Sequence, residues 1–143
     1  MRYGGVDTNS VLESLFEVIE SSPATSSRPA DYISAHRMEY RELTYYDQNT
    51  LRYCFEQFLQ GGQNGLRGHL MAVVCRDVAT GLWPRAIIGD APDGLTGQEC
   101  FDQYKANVLQ LREQFGATEL AEMYPDAGLL LEIMGESESS EIS

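Results

Sequence analysis

Basic residues are scarce in this chain: ten Lys and Arg stand against 22 Asp and Glu, a formal net charge of -12 over 143 residues. Affinity for nucleic acid comes chiefly from cationic side chains that displace counterions, so direct binding to DNA or RNA is not expected. Long apolar runs are also missing. None approaches the roughly 20 residues needed to cross a bilayer, and residues 1–10 lack the basic, apolar and small-residue order of a signal peptide. A soluble, cytoplasmic protein without membrane contact is the expectation.

Cysteine and histidine are few. Cys54, Cys75 and Cys100 are an odd number and lie inside apolar segments, which excludes a disulfide framework and suggests buried thiols in a reducing compartment. His36 and His69 have 32 residues between them and no neighbouring Cys, His or Asp at a zinc spacing, so no metal site is expected. Cys-x-x-Cys, a nucleophile elbow and a phosphate loop are absent; Gly61-Gly62-Gln63-Asn64-Gly65 lacks the Lys and Ser/Thr that must follow it. Asp90 and Asp93 read as solvated loop residues rather than an acid–base pair. Neither catalytic residues nor a cofactor are expected.

The stretch 44–81 sets the terms for the rest. Thr44 followed by Asp47 has the spacing of a capping box, and Leu51, Cys54, Phe55, Phe58 and Leu59 then recur on one helical face. Gly61-Gly62 stops that helix. Leu66, Leu70, Met71, Val73 and Val74 repeat a helical spacing from which Arg67 and Arg76 fall away; helix is favoured over 70–75, with a buried strand as the alternative.

Upstream, Ser10 and Glu13 suggest a second capping box before an amphipathic helix carrying Leu12, Leu15, Phe16 and Ile19. Residues 21–30, with Pro23 and Pro29 among Ser and Thr, read as a linker that makes 1–20 an arm, free to pack on the core or reach a neighbour. Near-alternation from Met38 to Leu43 suggests an extended segment within 32–43 and permits one short strand or hairpin. Downstream, 77–81 reads as a turn, Trp83 as a plug at the core edge or an exposed anchor, and 86–96 as a loop. Thr96 and Glu99 form the best capping box, with Leu95 and Cys100 placed for a hydrophobic staple. A long helix follows through Phe101, Tyr104, Val108, Leu111 and Phe115 to Gly116. Short helices are expected over 118–123 and 126–134, then an acidic, disordered tail over 135–143. The predicted architecture is mainly α: an N-terminal helical arm (1–20), a linker (21–30), a helical core domain (31–134) and the tail.

Arg41-Glu-Leu-Thr44 leading into a Phe55-containing helix, then Leu66-Arg-Gly-His-Leu70-Met-Ala-Val-Val-Cys75-Arg-Asp77, a Gly81 turn and a closing helix resemble the tail assembly chaperones of long-tailed bacteriophages, over about residues 38–115. The resemblance implies a non-enzymatic protein that coats the apolar helical tape measure protein during assembly in the host cytoplasm and recruits tail tube subunits. It also implies a longer form made by frameshifting near the C-terminus. On that reading Leu12, Leu15, Phe16, Ile19, Phe55, Phe58 and Trp83 are the partner-binding residues, and homo-oligomers are compatible with the role. The alternative is an acidic phage or plasmid inhibitor that mimics DNA and blocks a nucleic-acid-binding host defence protein.

Overall fold

Helices carry the described part of the chain, residues 8–23, 28–79, 81–84 and 94–135 of a computed structural model. In order they are α1 (Thr8–Glu20), α2 (Pro29–Ala35), α3 (Arg37–Tyr45), α4 (Gln48–Gln60), α5 (Leu66–Val78), α6 (Gly97–Phe115), α7 (Ala117–Met123) and α8 (Pro125–Met134). No strand occurs among the described residues, so the expectation of a mainly α domain holds without the short strand or hairpin. Residues 70–75 are helical, within α5.

Local chemistry explains where the helices begin and end. At α6 the Thr96 hydroxyl accepts from the Glu99 N–H at 3.1 Å and the Glu99 carboxylate accepts from the Thr96 N–H at 2.9 Å, the reciprocal capping box expected there. Pro125 opens α8, where its missing N–H leaves no bond unmade. The other two expected capping boxes do not form. Ser10 lies inside α1, which starts at Thr8, and Thr44 lies inside α3, where its hydroxyl donates to the Arg41 carbonyl at 2.8 Å. The break before α4 falls instead at Tyr46 and Asp47, with Asp47 at φ 50°.

Residues 32–43 lie in α2 and α3, broken only at His36, and are not extended, because the near-alternation counted Met38 as an inward residue. Met38 is 80% exposed, whereas Tyr32, Tyr40 and Leu43 turn inward at helical spacing. The expected turn over 77–81 begins later, since α5 runs to Val78. Within the expected loop 86–96, residues 86–93, with Asp90 and Asp93, lie outside the described residues, as do residues 136–143 of the expected tail and 24–27 of the expected linker.

The core sits between α1, α4, α5, α6 and α8. Phe58 stacks on Phe101 at 5.1 Å, Trp83 lies 4.9 Å from Tyr104, and Phe55 lies 5.5 Å from Tyr104, centroid to centroid. Offset and tilted aromatic pairs at these separations contribute beyond the area they bury. Helix α1 belongs to this same core rather than to a separate arm: Leu12, Leu15, Phe16 and Ile19 join its buried cluster, and the helix packs against α3, α4 and α5.

The start of α6 is seated on the α4–α5 connection by Gln98. Its N–H donates to the Gln63 carbonyl at 2.9 Å, its side-chain oxygen accepts from the Gln63 N–H at 3.0 Å, and its side-chain amide donates to the Phe58 carbonyl at 3.0 Å. Seating requires very close backbone approach. A Cβ on Gly97 would lie 2.1 Å from the Gly68 carbonyl oxygen, and one on Gly68 would lie 2.0 Å from the Gln63 carbonyl oxygen. Backbone cannot move aside as a flexible side chain can, so both positions demand glycine. Gly97→Ala should therefore lower stability by about 1–3 kcal/mol in urea unfolding. Gly81→Ala, whose new Cβ meets only the Tyr124 ring, at 3.8 Å, among the described residues, should change it by less than about 0.5 kcal/mol. Equal effects would contradict the close-approach account.

Candidate functional site

The residues expected to bind a partner are sealed in the protein's own core. Leu12, Phe16 and Phe55 are 0% exposed, Ile19 and Phe58 1%, Trp83 6% and Leu15 9%. The expectation that they form surface contacts is corrected accordingly. An amphipathic stripe signals that a face will be covered, not by what, and here α1 and α4 cover each other and their neighbours. Trp83 is the plug rather than the exposed anchor, stacked on Phe55 at 6.4 Å; its indole N–H has no hydrogen-bond partner among the described residues. The apolar residues left outside are others: Met38 and Tyr45 on α3 at 80%, Phe115 at 44%, Met123 at 43%, Val18 at 41% and Leu59 at 37%. Leu59 and Phe115 end their helical stripes in solvent.

What holds α1 in place is a polar cluster that apolar periodicity did not reveal. Glu13 and Glu20 lie two turns apart on α1, and Arg67, in the first turn of α5, reaches both. Its Nη1 donates to Glu13 at 3.1 Å and its Nε donates to Glu20. The guanidinium carbon lies 5.3 Å above the centre of the Phe16 ring, which in turn stacks on Tyr53 of α4 at 5.8 Å. The Tyr53 hydroxyl donates to Glu13 and lies 3.4 Å from Arg67 Nη1. Burial works against the Arg67 charge, but hydrogen bonds and attraction from Glu20 and Glu13 outweigh it and raise its pKa above the ordinary value. The Tyr53 hydroxyl, aided by Arg67, holds the Glu13 carboxyl below its usual range. Beside this cluster runs an open groove of about 500 Å³ between α1 and α4, lined by Glu13, Glu17, Tyr53 and Gln57 among others.

The reactive side chains are placed as packing residues. Cys54, Cys75 and Cys100 are buried free thiols. Burial and the neighbouring Cys54 push the Cys75 thiol well up, and burial pushes Cys100 up to about 11, so both are held as thiols rather than nucleophilic thiolates at neutral pH. Asp126 is buried in the first turn of α8 and accepts from the Tyr104 hydroxyl at 2.5 Å. Burial and that carboxylate raise the Tyr104 pKa far above the phenol value. His36 joins α2 to α3, with Nε2 2.8 Å from the Ser22 hydroxyl, and His69 lies in the first half of α5. Among the described residues no cluster of three His, Cys, Asp or Glu could hold a metal ion, and no helix is long and apolar enough to cross a membrane.

No protein family, curated protein or solved structure matches this chain.

The Glu13 cluster has a definite pH signature. A carboxyl whose folded pKa is depressed binds protons more tightly when unfolded, so its stabilisation is present above the ordinary value of 4.5 and is lost as pH falls through the folded pKa. Tyr53→Phe removes the largest cause of that depression. In NMR titration the Glu13 carboxyl of the variant should move up toward 4.5, and its loss of urea resistance below that pH should be shallower than the wild type's. An unchanged Glu13 titration would contradict the assignment.

Proposed function

We propose that this protein acts without catalysis, by holding another polypeptide, and that it does so as a tail assembly chaperone for a tape measure protein and its tail tube subunits. The observation that carries the reading is the way α1 is held. A single amphipathic helix lies against α3, α4 and α5 through Leu12, Leu15, Phe16 and Ile19, anchors at offsets of zero, three, four and seven. That is the pattern by which a groove accepts a helix from another chain. A partner helix with the same apolar spacing fits the same groove once α1 leaves it, and an acidic surface keeps a protein with such a groove in solution. On this reading the α1 residues cover the groove and Tyr53 meets Phe16 from α4, whereas Phe55 packs against Trp83, Phe101 and Tyr104.

The DNA-mimic alternative has less support. The acidic row Glu13, Glu17 and Glu20 on α1 is the natural candidate for a phosphate-like array, but Arg67 neutralises its two ends. A mimic needs carboxylates that face outward without partners.

Affinity capture with this protein during phage infection, read by mass spectrometry, tests the proposal. A long, helical, apolar polypeptide should be recovered. Arg67→Met, which loosens α1 by about 1–2 kcal/mol, should raise its recovery about five- to thirty-fold. Recovery of a nuclease or DNA-binding protein instead, with no response to Arg67→Met, would overturn it in favour of the mimic.

A further inference from the structure

Two exposed helix faces on this chain carry opposite charge, with the charged residues about one turn apart on each. On α3, Arg37, Met38, Arg41, Thr44 and Tyr45 share about 120° of arc at the helical repeat, opposite buried Leu43. Arg37 and Arg41 stand one turn apart and form no ion pair among the described residues, although Arg52, Arg67, Arg76 and Arg112 all have carboxylate partners. They border a cleft of about 260 Å³ with Ile33, Tyr40 and Thr44. Met38 and Tyr45, each 80% exposed, flank them. The Tyr40 hydroxyl donates to Asp77 of α5, fixing this helix to the body of the protein.

The other face lies on α7 and the end of α6. Glu119 and Glu122 are exposed, one turn apart, and form no ion pair among the described residues. On α7 Met123, 43% exposed, follows Glu122, and Phe115, 44% exposed, ends α6 just before α7 begins. Of the six exposed large apolar side chains among the described residues, four, Met38, Tyr45, Phe115 and Met123, lie on α3, on α7 or at the end of α6.

The geometry points to head-to-tail self-association, in which the Arg37–Arg41 face of one copy receives the Glu119–Glu122 face of a second. Each guanidinium meets a carboxylate, and Met38 and Tyr45 cover Met123 and Phe115. Exposed ion pairs fix register more than they add affinity, so the apolar residues supply most of the attraction. The contact is small. Helix α3 has nine residues and spans about 13 Å, less than the roughly 800 Å² per partner of a standard stable interface can be built on, so the association is weak and concentration-dependent. The net charge of -12 sets copies against one another at a distance. At about 0.15 M salt a screening length of about 8 Å shortens that repulsion while leaving contacting pairs largely intact. The two surfaces differ, so each copy keeps a free face of either kind, and the product is a ring or an open chain rather than a two-fold dimer.

Sedimentation velocity over a concentration series at about 0.15 M salt tests this directly. The weight-average mass of the wild type should rise above 16.0 kDa as concentration increases. R37E/R41E and E119R/E122R should each remain monomeric alone, and mixing them in equal amounts should restore association, because each then offers the charge the other lacks. Circular dichroism confirms that each variant keeps its helices; M38S/Y45S replaces a variant that does not, and it too should be monomeric. A wild type that stays monomeric up to its solubility limit would overturn the inference. So would association that survives both reversals, or a mixture that fails to regain it. None of these outcomes bears on the groove beneath α1.

Discussion

Arg67 is the hinge of the molecule's chemistry. A half-buried guanidinium lies over the Phe16 ring and spans Glu13 and Glu20, tying the first helix to the fifth. Breaking such a contact costs more than making it contributes, because the groups left behind keep their desolvation penalty without its compensation. With Arg67 gone, Glu13, 45% exposed, keeps the Tyr53 hydroxyl and water, while Glu20, 27% exposed, loses its ion-pair partner. With it present, the four apolar anchors of α1 are placed in register over α4.

The remainder of the fold depends on close packing at the same end of α5, one residue along from Arg67. Gly68 and Gly97 let the backbones of α5 and α6 approach more closely than any Cβ would allow. The Gln98 side chain then secures the α4–α5 connection. From this contact α6 runs on for 19 residues and presents Phe101 and Tyr104 to Phe55, Phe58 and Trp83. Stability comes from this aromatic centre, with the buried thiols acting as small apolar fillers.

Much of this was readable in the sequence, because it rests on periodicity and capping. The 3.6-residue recurrence of Leu12, Leu15, Phe16 and Ile19, of Leu51 to Phe58, and of Phe101 to Val108 correctly marked three helices and their inward faces. The Thr96–Glu99 box placed the start of the longest. Tertiary bonds were hidden. Thr44 and Ser10 have the capping pattern but sit within helices; Thr44 bonds the carbonyl one turn back instead of an N–H ahead, as a Ser or Thr hydroxyl can. Met38 disguised α3 as an extended segment by standing in solvent. Arg67 was visible only as a polar residue off the apolar face; nothing in a linear pattern joins it to Glu13 and Glu20, 54 and 47 residues away. The candidate site suffered most. Periodicity shows which residues will be covered and is silent on whether the cover is the chain itself or a partner, and here all seven expected contact residues are covered by the chain itself.

That distinction bears on the proposed reading, in which α1 covers a groove and a chaperone exchanges that cover for a foreign helix. Native-state hydrogen exchange measures the exchange step itself. If α1 is a removable cover, its amides should exchange through an opening of lower free energy than those of α4, α5 and α6, which should exchange together at the global unfolding limit. Amides of α1 that exchange only at that same limit, with the same denaturant dependence as α4, would show that α1 never leaves the folded protein and would contradict the account.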